Sequence, residues 1–250
     1  MQTSEIDQVD HCELRPSRAE SWVRCPGSIS LTRGLILPPE HPSAAYGVRA
    51  HQIAAQMLNA EPTDAPDDDA MRRIVEEYVA WCDHIRRFAS RTWIEFKVSL
   101  DAMNPPAPMF GTLDFMAYSV FDGVGHLDIC DLKTGVVPVH ALGNYQLQYY
   151  ALAALACIEK ELSVPVTRVQ LAIVQPRLHR VSMDETTPER LKQFSVQLLA
   201  AAADAMSDDP PFTPGEIQCR VCPARHVCVI KYRPPSRRHR RATDDPYGFE

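Results

Sequence analysis

Near residue 90 the hydrophobic pattern of this chain changes period, and that change limits the folds open to it. Upstream, Ala50, Ile53, Ala54, Met57 and Leu58 recur at helical spacing from about Ser43, and Met71, Ile74, Val75, Tyr78, Cys82 and Ile85 do so again. From Thr92 to Leu100 the pattern alternates: Ile94, Phe96, Val98 and Leu100 are separated by Glu95, Lys97 and Ser99, as in a strand. Two more strand-like runs follow, Gly111–Tyr118 and Gly125–Lys133, with Asp122-Gly123 between them as a hairpin turn. Ala141–Lys160 then reads as a helix, Thr167–Val174 as a strand, and Pro188–Met206 as a helix capped by Thr187 with proline in its first turn. Ser17 and Glu20 have the spacing of a capping box for a short first helix that ends at Pro26-Gly27. Leu37–Pro42 and the acidic stretch Glu61–Asp69 read as loops. Helices, three strands, a helix, a strand and a helix predict an α/β fold around a mixed sheet.

The 250 residues suit one sizeable domain, and 45% apolar residues supply a core without disulfides. No apolar run reaches membrane-spanning length, so no membrane partner is expected. The acidic, polar start MQTSEIDQVD does not read as a secretory signal, and with eight cysteines the expectation is a cytoplasmic protein. A net charge of −6 argues against a protein that coats nucleic acid over its whole surface, but leaves room for a local basic groove. Residues 233–250 hold five arginines within nine positions and no apolar period, and are read as a basic, flexible tail after a domain spanning 1–232.

Asp131 and Lys133 flank Leu132 at the end of a predicted strand, so both point to one face. A hairpin would bring Asp114, in Gly111-Thr-Leu-Asp, opposite Asp131. Two carboxylates so close repel unless a divalent cation lies between them, and hard oxygen donors suit Mg²⁺ or Mn²⁺. His51 follows Gly47 by one helical turn, at the edge of an apolar stripe. Gln146 and Tyr150 share a helical face. Glu95 is a candidate accessory acid, although its place on the polar face of a strand reads first as facing solvent.

Cys219, Cys222 and Cys228 form a C-x2-C-x5-C cluster, a spacing typical of metal ligands, and Cys25, Cys12 and His226 are the candidates for a fourth donor. Spacing alone leaves zinc and an iron–sulfur cluster both open. Cys82, Cys130 and Cys157 read as packed core thiols.

Taken in order, Gly-x-x-x-His, Gly-Thr-x-Asp, Asp-x-Lys-Thr-Gly and Gln-x-x-x-Tyr resemble the RecB-like branch of the PD-(D/E)xK nuclease superfamily, over roughly Ser17–Cys228. Leu113 stands where the superfamily's proline would precede the first acid. The resemblance implies a core of order αβββαβ, with His51, Asp114 and Asp131 as ligands of Mg²⁺ or Mn²⁺ and Lys133 orienting the attacking water. Gln146 and Tyr150 would complete the site beside the DNA backbone. It further implies a [4Fe–4S] staple on Cys25, Cys219, Cys222 and Cys228, as in AddB-type and CRISPR-adaptation nucleases. The expected activity is that of a DNA exonuclease of phage or prophage recombination or of repair, for which a single-strand annealing protein is the usual companion. A CRISPR-adaptation nuclease trimming spacer precursors and a non-catalytic DNA-binding scaffold are the alternatives, and homo-oligomerisation stays open.

Overall fold

The computed structural model describes residues 12–35 and 42–230. The basic segment 233–250 and most of the loop expected at 37–42 lie outside them. A five-stranded sheet forms the centre, in the order β1 (Arg91–Ser99), β2 (Phe110–Phe121), β3 (Val124–Leu132), β4 (Val166–Gln175) and β5 (Arg180–Thr186). Neighbouring strands run antiparallel except β3 and β4, which are parallel. The β3–β4 crossover carries α5 (Tyr145–Ile158), because parallel neighbours need a long connection.

The sheet is covered on both faces. Against one lie α3 (Pro42–Leu58) and α4 (Asp69–Arg86), whose stripes Ala50, Ile53, Ala54, Leu58 and Met71, Ile74, Val75, Tyr78, Cys82 pack on Phe115, Ala117, Cys130, Leu132, Ala172 and Val174. Against the other lie α5, α6 (Pro188–Met206) and the short α1 (Ala19–Arg24) and α2 (Gly27–Thr32). The stripes of α3 and α4 were legible as amphipathic periods, although Met57 of the first stays exposed. Among the described residues no helix is long and apolar enough to cross a membrane.

The hairpin between β2 and β3 forms as expected: Phe121 pairs with Val124, and Asp122 and Gly123 both take positive φ, at 51° and 76°. That backbone matches the twist of the strands it joins. Thr187 caps α6 by accepting a hydrogen bond from Arg190 N, with Pro188 in the first turn.

Elsewhere the sequence reading needs correction. No capping box forms at Ser17. A 3₁₀ turn over Pro16–Arg18 precedes α1, Arg18 occupies the cap without a side-chain bond, and Glu20 pairs with Arg24 one turn on. The first helix does end before Pro26-Gly27, with Cys25 as its C-cap, but Gly27 then opens a second short helix, α2, that was not expected. The helix expected from Ala141 begins at Tyr145, because Asn144 leaves the helical path and accepts from Leu147 N as its cap. The edge strand β5 was missed: Arg180–Thr186 is polar and half-exposed, so it lacks the apolar alternation that marks inner strands. Cys157 is exposed rather than packed, while Cys82 and Cys130 are buried as expected.

The α5 cap gives a direct test. Asn144→Ala removes the oxygen that satisfies Leu147 N, and should lower unfolding free energy by about 1 kcal/mol in urea titrations, with an unchanged m-value.

Candidate functional site

One irregularity in the sheet builds the site. In β1 Trp93 enters the α5 layer and Ile94 the α3–α4 layer, yet Phe96 and Val98 return to the α5 layer. In β2 Leu113 and Met116 lie in the α5 layer, with Phe115 opposite. The alternation thus changes phase at Glu95 and Asp114, which face each other between the pairs Ile94–Phe115 and Phe96–Leu113. The cause is local: Glu95 holds a left-handed backbone at φ 47°, which a non-glycine residue adopts only when its surroundings enforce it. A strictly alternating reading of β1 therefore fails at this residue, and Glu95 turns toward the site.

Continuing the β2–β3 register by one position sets Asp114 against Asp131. Glu95, Asp114 and Asp131 so form a row across three strands. Asp114 is only 9% exposed, and its two oxygens are committed differently. Oδ2 accepts from Leu132 N at 2.7 Å, and Oδ1 lies 3.1 Å from Nδ1 of His51 on α3. Gly47, one turn before His51, lets that helix approach: a Cβ there would stand 3.3 Å from Thr134 Oγ1. Among the described residues, His51, Glu95 and Asp114 are grouped with their ligand atoms within 4.8 Å of one another.

Asp131, 2% exposed, is held from the α5 side. Gln146 bridges it to Lys133: its Nε2 donates to Asp131 Oδ1 at 2.9 Å, and its Oε1 accepts from Lys133 Nζ at 3.0 Å. Lys133 Nζ also sits 2.5 Å from Asp131 Oδ2, so both oxygens of this buried carboxylate are met by side chains of the site. Tyr150, one turn after Gln146, is buried against Gly111, where a Cβ would come within 2.7 Å of Pro16 and 3.2 Å of the Tyr150 ring. The structure thus brings together all six residues expected from the sequence, His51, Asp114, Asp131, Lys133, Gln146 and Tyr150, and adds Glu95 beside His51.

The electrostatics follow from crowding acids in a partly dry site. Burial disfavours the His51 imidazolium, but Asp114 and then Asp131 outweigh it and push its pKa up to about 9. Burial, with Asp114 adding to it and His51 opposing, pushes the Glu95 carboxyl up to about 7 although the residue keeps an accessible edge. Burial works against the Asp114 anion too, yet His51, Lys133 and the Leu132 N–H hold its pKa below the ordinary value. Asp131 moves the other way: burial and the Asp114 charge raise it despite Lys133. The groove over these groups, also lined by Ser17, Gln52 and Gln56, is open and about 1140 Å³, larger than the usual enclosed small-ligand pocket.

A second cluster lies across the α5–α6 layer. Gly27 N donates to Pro211 O at 2.9 Å and Thr213 Oγ1 donates to Arg24 O, tying the α1–α2 turn to the segment before α7 (Glu216–Val221). Gly27 makes room for the Phe212 ring, which a Cβ would strike at 2.5 Å. Cys25, Cys219, Cys222, Cys228 and His226 consequently line one cavity of about 340 Å³. Cys12 does not: its thiol donates to Phe110 O and accepts from Phe110 N at the edge of β2.

His51 and Glu95 make stability depend on pH in the cation-free protein. Both have folded pKa values above their unfolded ones, so each contributes stability that is full below the unfolded value and lost as pH rises through the folded one. The urea midpoint should fall from about pH 4.5 to 7 through Glu95 and from about 6.5 to 9 through His51. Glu95→Gln and His51→Gln should each flatten its own window, and saturating Mn²⁺ should flatten both, since ligands bind deprotonated. An unchanged midpoint across pH 5–9 would contradict this electrostatic picture.

A solved structure titled "Crystal structure of SSO0001" is similar at 12% identity and a TM-score of 0.43, covering 92% of this chain and 91% of that one. The family described as "Protein of unknown function (DUF2800)" matches residues 11–241, and the chain belongs to that family.

Proposed function

We propose that this protein is a RecB-like PD-(D/E)xK nuclease: a divalent-metal-dependent hydrolase of DNA phosphodiester bonds that works from strand ends. The observation that carries the reading is the meeting of His51, Asp114, Asp131, Lys133 and Gln146, from four places in the chain, at one open groove that His51, Glu95 and Lys133 line. The residues fit a hard cation. An imidazole nitrogen and carboxylate oxygens are donors that Mn²⁺ and Mg²⁺ accept, and the ligand atoms of His51, Glu95 and Asp114 lie within 4.8 Å of one another. His51, Asp114 and Asp131 would hold the cation, with Glu95 within reach of the first two. A bound cation supplies Lewis acidity toward the phosphate and lowers the pKa of water.

The remaining chemistry belongs to the chain. Lys133, fixed by Gln146 and Asp131, presents an ammonium to the attacking water and to the charge that develops on the phosphate oxygens, a preorganised stabilisation. Gln146 keeps Lys133 and Asp131 at one spacing through both ends of its amide. Tyr150 closes the dry side of the site. A wide groove suits a polymer rather than an enclosed metabolite. Phage or prophage recombination, alongside an annealing protein, is the setting this reading favours.

Asp131→Ala and Lys133→Ala should each lower Mg²⁺- or Mn²⁺-dependent hydrolysis of linear DNA by at least about a hundredfold, roughly 2.7 kcal/mol of transition-state stabilisation. End-labelled linear duplex should be degraded, EDTA should stop the reaction, and relaxed closed circles should survive. Ready cutting of closed circles would replace the exonuclease reading with an endonuclease, and no hydrolysis of any DNA would remove the nuclease reading altogether.

For the thiol cavity we propose a [4Fe–4S] cluster on Cys25, Cys219, Cys222 and Cys228. The four thiols line one cavity, and the remote Cys25 before the C-x2-C-x5-C run resembles the iron–sulfur staple of AddB-type and CRISPR-adaptation nucleases, which supports a cluster over zinc. Anaerobically purified protein should be brown with about four irons per chain. Cys25→Ser should lose iron and thermal stability together, while Cys82→Ser keeps its iron. Stoichiometric zinc without iron would assign the site to zinc instead.

A further inference from the structure

Beside the groove, on the far side of Tyr150, lies a smaller pocket of about 290 Å³ lined by Arg15, Ser17, Lys97, Gly111, Thr112 and Tyr150, among others. No carboxylate lines it. Among the described residues neither Arg15 nor Lys97 has an acidic partner: Lys97 lies 4.7 Å over the Phe110 ring, and the buried Nε of Arg15 has no hydrogen-bond partner. An arginine N–H buried without an acceptor costs free energy unless a ligand meets it. Two hydroxyls, Ser17 and Thr112, add neutral donors. Arg15 is also held in place: its carbonyl accepts from Trp22 Nε1 at 3.2 Å, and Pro16 beside it packs on Gly111.

We infer that this pocket is a phosphate-binding subsite, in which Arg15 and Lys97 hold a phosphate of the polynucleotide next to the one being cleaved. Ser17 lines both the pocket and the groove, and Tyr150 separates the pocket from Gln146 one helical turn away, so one strand can occupy both. A guanidinium gives paired, directional donors to phosphate oxygens, while the exposed ammonium adds charge. The subsite rests on the hydrolase reading for its substrate, but its chemistry, an anion held by two otherwise unpaired cations, is tested without hydrolysis.

The test is binding of a single-stranded oligonucleotide, made once with a 5′-phosphate and once with a 5′-hydroxyl, to the full chain in EDTA. Arg15→Gln and Lys97→Gln should each weaken binding about tenfold and lower the salt-dependence slope by about one. Loss confined to the 5′-phosphorylated strand puts a terminal phosphate in the pocket, and equal loss on both strands puts an internal phosphodiester there. Lys97 is exposed, so Lys97→Gln keeps the test usable if Arg15→Gln does not fold. Cleavage of linear DNA with Mn²⁺ is followed in parallel with the unsubstituted chain, so that a failed hydrolase reading is recognised separately. Wild-type affinity and salt slope in Lys97→Gln together with folded Arg15→Gln, or in Lys97→Gln alone if the other is unfolded, overturn the subsite.

Discussion

Asp114 is the residue on which the site's geometry depends. A carboxylate with 9% of its surface exposed is tolerable only when its charge and lone pairs are met. They are met from two directions: by His51 from the helical layer and by Leu132 N from the neighbouring strand. The same contacts hold α3 to the inner strand β2, tie β3 to β2 at its C-terminal end, and leave Glu95 on β1 facing two members of the group. Removing the carboxylate would take from His51 the main charge that raises its pKa and leave the buried Leu132 amide without its acceptor. The structural and chemical roles of this acid are therefore one role.

The row of acids across β1, β2 and β3 is an arrangement of opposed proton affinities. His51 and Lys133 hold Asp114 toward its anion, while burial and Asp114 itself raise Asp131. Gln146 settles the remaining freedom by using both ends of its amide between Asp131 and Lys133. A helix delivers that amide with little slack because Asn144 fixes where α5 starts, two residues earlier. The half-left-handed kink at Glu95 is the cost of presenting a third acid from an edge strand.

Away from the groove, the thiol cavity joins the first and last described parts of the chain. Its closing contacts are the Gly27 N to Pro211 O bond, the Thr213 hydroxyl on Arg24 O, and the fit of Phe212 onto Gly27. Ligation there would close a loop that contains the entire sheet, so it would stabilise the native state largely by restricting the unfolded chain. Arg15 caps the 3₁₀ turn that leads into α1, and Ser17 of that turn lines both the basic pocket and the groove.

Much of this was legible in the sequence, because period and turn chemistry are local. The stripes of α3 and α4 gave the helical layer, Asp122-Gly123 gave the hairpin, and that hairpin gave the pairing of Asp114 with Asp131. Spacing alone also put Asp131 with Lys133, and Gln146 with Tyr150. What local signals could not supply was decided by packing. Glu95 alternates with Ile94 and Phe96 and so reads as solvent-facing, and it does stay exposed, but the positive φ that only the assembled sheet enforces turns it toward the groove and His51. The edge strand β5 carries no apolar alternation because half of it never meets the core. Spacing alone left Cys25 and Cys12 both open, with the resemblance favouring Cys25; tertiary contacts place Cys25 in the thiol cavity and hold Cys12 to Phe110. Sequence determines which residues can share a face, since that follows from backbone geometry a few residues long. Which faces meet, and which polar groups are left facing one another when water is excluded, is a property of the packed chain.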